Sequence, residues 1–596
     1  MKTDVTWDLS DLYLGVADPR LDTDLQSIQQ CAETFEQTYR GQIAREDLTA
    51  DGLAQALQQY EELQRREARP GTFAQLHFTT CTTDPERGAL LQKVREAGSR
   101  VATHLLFFDL EIGRIPSPTY ERVIADPRLA NYRHYLEHQR ALARYHLSEP
   151  EEKIAEEFAN TGGRAFGRLF TEVVSRIKYR LVLNGETREL EQSELLALFY
   201  HPERETRRAA ASAVTEGLRG NAHVITFIFN TLLSEKATKD RLRGFEFPEH
   251  ARHLGNELTR EVVDTVVGVC AENFDLVADY YRLKRDLLRL DELTHYDRYA
   301  PLLETDTQVA FEDARALVLD AFAQFSPQLR AMSEPFFSKC WIDAALAPGK
   351  SGGAYCAAVA PDLHPYVFMN YTGKPRDVMT LAHELGHGLH DVLARRQTML
   401  NFYPTLPLAE TASTFAEMLT FDRLLRDLTD PREKLALVCE KIEDAFATVF
   451  RQVAMFRFEQ DAHRARREQG EQTTENYSQL WQKNQQAMFG DAVTLGEDHA
   501  WWWLYVPHVF LSPFYVYAYA FGELLVLSLY ARYQQEGPAF VDRYFDLLAA
   551  GGSEPPAALL QRTMGIDIAS GDFWRGGVDL IRRRVALAKE LAAQLQ

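Results

Sequence analysis

NYTGKPRDVMTLAHELGHGLHDVLARR, residues 370–396, carries the periodicity of one amphipathic helix. Val378, Leu381, Ala382, Leu385, Leu389 and Val392 recur at three- and four-residue steps along one stripe, while His383, His387 and His390 share a different face. The apolar stripe belongs against the core, so the imidazoles point away from it. The stretch contains HExxH as His383-Glu384-Leu385-Gly386-His387. Two imidazoles one turn apart can bind one Zn²⁺ at ~2.0–2.1 Å, and Glu384 is then placed to take a proton from the metal's water. This is a hydrolase arrangement.

A catalytic zinc takes three protein ligands and keeps one position open. The expected third ligand is Glu410 in LPLAETASTFAEMLTF, twenty-three residues beyond His387, and that spacing demands a second helix. Leu408, Ala412, Phe415 and Leu419 form its apolar stripe, whereas Glu410 and Glu417 lie seven apart on the other face. One carboxylate can ligate and the other, Glu417, can orient a ligand from outside the coordination sphere. His390 lies two turns from His383, beyond reach of the same ion, and is expected to pack or to support the ligands from behind.

Upstream, Ala354–Asn370 (AYCAAVAPDLHPYVFMN) has apolar and aromatic runs broken by Pro361 and Pro365, so a small β-sheet is expected just before the zinc-binding helix. Its edge can hold an extended chain by β-augmentation. Tyr179–Leu190 (YRLVLNGETREL) reads as a hairpin, with Asn184 and Gly185 supplying the positive φ angles of a tight turn. A boundary just before it divides an N-terminal helical domain, 1–175, from a catalytic domain, 176–596. Most other stretches, such as Asp51–Arg69 and Glu151–Ala159, are rich in helix formers, and no fixed-period repeat supports a solenoid.

Between His499 and Gly522 there is no Asp, Glu, Lys or Arg, and WWWLYVPHVFLSPFYVYAYAFG is long enough to span a membrane. Pro507, Pro513, His508 and the Tyr hydroxyls would need partners in hydrocarbon, so a buried core or a cleft wall is expected instead. The segment offers His508, Tyr515, Tyr517 and Tyr519 as donors to a developing oxyanion. A helix after Pro513 would put Tyr515 and Tyr519 on one face and Tyr517 on another, which favours the first two as a pair.

The 596 residues include 66 basic and 86 acidic side chains, for a net charge of −20. That mean field disfavours a general nucleic-acid or anionic-membrane binder. The first residues, MKTDVTWDLSDLYLG, carry acids where a secretory signal needs basic and then apolar residues, so a cytoplasmic location is expected. Six cysteines without CxxC spacing fit reduced thiols.

Together these segments resemble the thimet oligopeptidase and oligoendopeptidase F family of zinc metallopeptidases. HELGHGLH resembles the family's extended metal motif, ETAS followed by Glu417 its third-ligand helix, and PYVFMNYTG its substrate-side strand. HYDRYAPL at His295–Leu302 and VPHVFLSPFYVYAYAFG also look like family segments. ETAS is nearer the oligoendopeptidase F branch than the thimet branch, whose tetrapeptide is EAPS. The resemblance is strongest from about Leu290 to Ala520 and weak in the first 150 residues. It implies a mainly α, two-lobed, zincin-like body with a small β-sheet beside the HExxH helix and a deep central channel that admits unstructured oligopeptides. It also implies one zinc on His383, His387 and Glu410, Glu384 as general base, and His508 with a downstream Tyr as stabilisers of the intermediate. The spacing after His508 differs from the thimet pattern, which leaves Tyr515, Tyr517 and Tyr519 open for that role. The activity implied is hydrolysis of internal bonds in short peptides.

Overall fold

Long runs of Ala, Leu, Glu, Arg and Gln fold as expected: the computed structural model, which describes residues 3–183, 185–302 and 308–595, is mostly helical with two small sheets. Asp51–Arg69 falls inside the helix Ala50–Thr79, opened by the Thr49 side chain accepting the Gly52 N–H, and Glu151–Ala159 lies in the helix Glu149–Ala159. The strands are β1 (Tyr179–Leu183), β2 (Glu186–Leu190), β3 (Ile342–Asp343), β4 (Tyr355–Ala357) and β5 (Tyr366–Phe368). The chain divides into two compact units, each assembled from separated stretches. One comprises Met1–Arg144, Asp306–Asp427 and Arg532–Asp567; the other comprises Tyr145–Thr305, Leu428–Ala531 and Ile568–Gln596.

In the first unit, the N-terminal helices close on a core that includes Ile28, Phe35, Leu57, Phe108 and Leu136. A second cluster joins Leu12, Phe73 and Leu90 to Val359 and Tyr366 of the sheet region. The sheet runs β3-β5-β4, with β3 parallel and β4 antiparallel to a wholly buried β5. Lys350, itself buried, ties the sheet together by donating to Asp343 Oδ1 (2.5 Å) and to the carbonyls of Ala345 (2.7 Å) and Met369 (2.8 Å). A buried ammonium with these partners is compensated. The strand β4 lies on the sheet edge and packs against the helix Pro375–Ala394, so the expected sheet stands beside the HExxH helix.

The second unit holds the hairpin, with β1 and β2 paired antiparallel from Tyr179↔Leu190 to Leu183↔Glu186 and Gly185 at φ +80°. The other expected turn residue, Asn184, lies outside the described residues. Aromatic rings fill this unit: Phe229 sits 5.2 Å from Trp503 and 4.9 Å from Phe510 between ring centroids. The charge-free segment is accordingly interior material, with Trp502, Trp503, Phe510, Phe514 and Tyr517 all buried. Among the described residues no helix is long and apolar enough to cross a membrane. The six cysteines are all free thiols.

Candidate active site

The HExxH helix spans Pro375–Ala394; proline occupies its first turn, and the Asp377 carboxylate accepts the N–H groups of Thr372 (2.7 Å) and Lys374 (3.1 Å). Val378, Leu381, Ala382, Leu385 and Leu389 are buried, as the stripe requires. A Cβ on Gly386 would lie 2.5 Å from Ser413 Cα and 2.6 Å from the Ala412 carbonyl oxygen. Glycine at the centre of HExxH is therefore what allows the helix Thr411–Asp427 to cross this closely, and the crossing brings Glu410 to the histidines.

Glu410 itself sits in a turn between the short helix Leu406–Ala409 and the helix Thr411–Asp427, not within one continuous helix. Its Oε2 is 3.4 Å from His383 Nε2 and 3.3 Å from His387 Nε2, and the two Nε2 atoms are 3.2 Å apart. Three donor atoms thus form a nearly equilateral triangle. An ion at ~2.05 Å from each of three tetrahedral donors requires donor–donor separations of about 3.3–3.4 Å. The residues fit a zinc ion. No other cluster of three His, Cys, Asp or Glu ligands of this kind occurs among the described residues.

The surroundings orient the triangle. Glu417 Oε1 lies 2.5 Å from His383 Nδ1, which leaves Nε2 of that ring to face the centre. Ser413 Oγ donates to Glu410 Oε2 at 2.7 Å, and Tyr544 Oη donates to the Thr411 carbonyl at 2.9 Å, pinning the start of the acid's helix. Burial disfavours charge on His383, yet the carboxylates of Glu417, Glu410 and Glu384 outweigh it and raise its pKa to about 9. Glu410 is likewise held down at about 2 by His387 and His383 in spite of burial.

Glu384 is 5 % exposed, and its Oε2 is buried with no hydrogen-bond partner. Desolvation raises its pKa, with the neighbouring imidazoles opposing. His390 is buried, with its pKa lowered by burial to about 4 while the Leu548 backbone opposes through a hydrogen bond; it is not part of the triangle.

A separate cluster forms in the second unit. His508 Nε2 and Tyr519 Oη share a hydrogen bond of 3.3 Å, and the Tyr515 ring lies 6.1 Å from His508 and 5.2 Å from Tyr519. Tyr517 points elsewhere: its hydroxyl accepts from Asn256 Nδ2 (2.8 Å) and meets His253 Nδ1 (3.1 Å) in the interior. The helix begins only at Tyr517, so Tyr515 reaches the cluster from a bend in which Phe514 takes φ +57°. That left-handed conformation is costly for a bulky residue. Glu459 accepts the Phe514 N–H at 2.8 Å, and Arg252 Nε donates to the Pro513 carbonyl at 3.3 Å.

Comparison with known proteins gives two family matches: Peptidase family M3 over residues 197–576, and Oligopeptidase F over residues 111–179. The chain belongs to peptidase family M3. This M3 chain is accordingly a metallopeptidase. It is 25 % identical to the oligopeptidase PepF of Bacillus subtilis, the match covering 100 % of this chain and 88 % of the relative. It is 24 % identical to an oligoendopeptidase F homolog of Lactococcus lactis subsp. lactis, over 98 % of this chain and 97 % of the relative. In fold it is similar to a crystal structure assigned as a peptidase from Chlamydophila abortus, with a TM-score of 0.89 at 23 % identity and 98 % coverage of both chains. It is also similar to oligoendopeptidase-F from Enterococcus faecium, with a TM-score of 0.72 at 21 % identity, covering 96 % of this chain and 99 % of that one.

Three residues that support these clusters in the M3 chain carry no local signal in the sequence. Ser413 was visible only as a letter of ETAS, while Glu459 and Arg252 lie far in sequence from the bend they hold.

Proposed function

We propose that this M3 chain is a zinc-dependent endopeptidase that hydrolyses internal bonds of short, unstructured oligopeptides. The observation that carries this reading is the triangle of His383 Nε2, His387 Nε2 and Glu410 Oε2, with sides of 3.2–3.4 Å, together with a buried Glu384 whose Oε2 has no hydrogen-bond partner. A zinc ion held there would polarise the scissile carbonyl and acidify the attacking water. Glu384 takes the water's proton and passes it to the leaving amine; desolvation, which raises its pKa, keeps it basic enough to accept one. Glu417 holds His383 in the tautomer whose Nε2 lone pair faces the centre.

His508, Tyr519 and Tyr515 hydrogen-bond the oxyanion as it forms, and the interior partners of the Tyr517 hydroxyl support leaving that residue out. The outer edge of β4 offers backbone groups to an extended peptide. The relatives' names, oligopeptidase and oligoendopeptidase, support short peptides as substrates. One zinc per chain, a cytoplasmic location and a helical N-terminal domain ahead of a catalytic domain from residue 176 belong to the same proposal.

Product mapping by mass spectrometry on a defined peptide mixture tests it. Internal cleavage is expected, abolished by a zinc chelator and restored by added zinc. Glu384→Gln is expected to keep its zinc and lose about 10²–10⁴ in turnover. Chelator-resistant cleavage, or a Glu384→Gln protein as fast as wild type, refutes the reading.

A further inference from the structure

Arg451 opens the helix Arg451–Gln469 directly after a π turn at Phe446–Phe450, which itself follows the helix Pro431–Ala445 without a break. Such turns inside α-helices redirect side chains and recur at functional sites. The Arg451 guanidinium donates from Nη1 to Tyr299 Oη at 2.7 Å. Its Nε is buried without a hydrogen-bond partner, and no carboxylate lies within ion-pair distance of it among the described residues. A second guanidinium, Arg298, is 6 % exposed, lies 5.3 Å from the same Tyr299 ring and donates to the His295 carbonyl, again with no ion pair among the described residues.

The acid whose charge reaches Tyr299, Glu443, is already engaged by Lys284 Nζ at 2.6 Å. Two cations around one phenol, Arg298 buried and Arg451 half-buried, in a chain of net charge −20 and with no carboxylate paired to either among the described residues, are not what stability alone selects, because an unpaired ion withdrawn from water is costly. Arg451 and Tyr299 are each only partly buried, and the Tyr299 ring lies 5.2 Å from that of Tyr200, which is 60 % exposed.

Burial pushes the Tyr299 phenol up, but Arg451 and Arg298 outweigh it and hold it below its usual range. After burial, Arg451 is also the charge that lowers His508, so the cation acts within electrostatic reach of the His508–Tyr519 pair in the same unit.

We propose that Arg451, with Tyr299 beside it, is a subsite for a carboxylate of the peptide substrate, either its free C-terminus or an acidic side chain. This rests on the peptidase reading of His508 given above. The planar guanidinium fork matches a carboxylate with parallel N–H bonds. Tyr299 Oη already accepts from Arg451, so its own hydrogen remains available to donate. The subsite would make this enzyme discriminate among peptides of equal length by charge.

The test uses fluorescein-labelled pentapeptides in matched pairs, free acid against C-terminal amide and internal Glu against internal Gln, with the full chain loaded with zinc. Affinity is read by anisotropy on the Glu384→Gln protein, and kcat/KM on wild type. Wild type should prefer the acid member of at least one pair by about 10- to 100-fold, mainly through KM, and the responding pair identifies the carboxylate's source. Arg451→Gln should collapse that ratio towards one, and Tyr299→Phe should reduce it in part. Because Arg451 is half-buried, Arg451→Lys provides a gentler variant that keeps the charge and loses the fork; it should lower the ratio without abolishing it. No acid preference in wild type, or a preference that survives Arg451→Gln, overturns the proposal. Chelator-resistant cleavage would sink the zinc reading instead, and the anisotropy ratios would still decide the carboxylate subsite.

Discussion

Replacing Gly386 by alanine should dismantle the metal triangle without touching any of its three donors. The added Cβ would stand 2.5 Å from Ser413 Cα and 2.6 Å from the Ala412 carbonyl oxygen, where ordinary contact begins at 3.4 Å. Both obstacles are backbone, so relief requires the helix Thr411–Asp427 to retreat by about 1 Å. Glu410 immediately precedes that helix and moves with it. A ligand bond of ~2.1 Å stretched by about 1 Å is no longer a bond. Gly386→Ala should therefore lose at least about 10- to 100-fold in zinc affinity, as outer-shell damage does, and about 10²-fold in turnover at limiting zinc.

Zinc affinity is read by competition with a chromophoric chelator, turnover with an internally quenched peptide, and folding by thermal melting. Gly388→Ala is the control, since its Cβ would crowd a side chain and not backbone: it would lie 2.5 Å from the Phe336 ring, which can shift, and at ordinary contact, 3.5 Å, from Cys356 Sγ. It should cost stability, about 1–3 kcal/mol, and leave zinc affinity near wild type. A Gly386→Ala protein with wild-type zinc affinity and rate would refute the claim that this helix crossing sets the site.

Glu417→Gln should weaken zinc binding by about 10- to 100-fold, because the amide oxygen can still accept from His383 Nδ1 but lacks the charge that makes the ring a more basic ligand; isothermal titration with zinc measures it. Tyr519→Phe should lower kcat by about 10²–10³ with little change in KM, whereas Tyr517→Phe, which strips a hydroxyl from Asn256 and His253, should cost about 1 kcal/mol of stability and spare the rate. Glu459→Leu should lower kcat through the Phe514 bend, Glu459→Gln should retain most of it because an acceptor for the Phe514 N–H remains, and neither should lower the rate further in a Tyr515→Phe background.

The legible part of the site is the part set by covalent spacing. His383, Glu384 and His387 are bound to one helix, and a four-residue step leaves their relative placement no alternative once the stripe from Val378 to Leu389 is buried. Glu417 was legible for the same reason, being seven residues beyond Glu410. Residue type and spacing point to Glu410, but not to the turn in which it sits, because ETAS has no strong breaker; the turn is held locally by Ser413 Oγ on Glu410 and from a distance in sequence by Tyr544 Oη on the Thr411 carbonyl.

The pairing of Tyr515 with Tyr519 was anticipated from a continuous helix that does not exist. A left-handed Phe514, held by Glu459 and Arg252, produces the same outcome by another route. Nothing about phenylalanine signals positive φ, so no local pattern could have found it. Nor does composition mark units whose stretches alternate along the chain, since long-range contacts alone define them.

A π turn holds one residue more than α winding would place in the same length of helix, and the surplus at Phe446–Phe450 sets the angular phase of everything to Gln469. Rewinding those five residues into regular α geometry at constant length would swing Arg451 and Glu459 by about 100° around the helix axis. Excising one residue there while the helix relaxes would instead leave both side chains near their present phase. Functional descendants of this chain should therefore tolerate a one-residue deletion within the turn far better than a deletion further along the same helix.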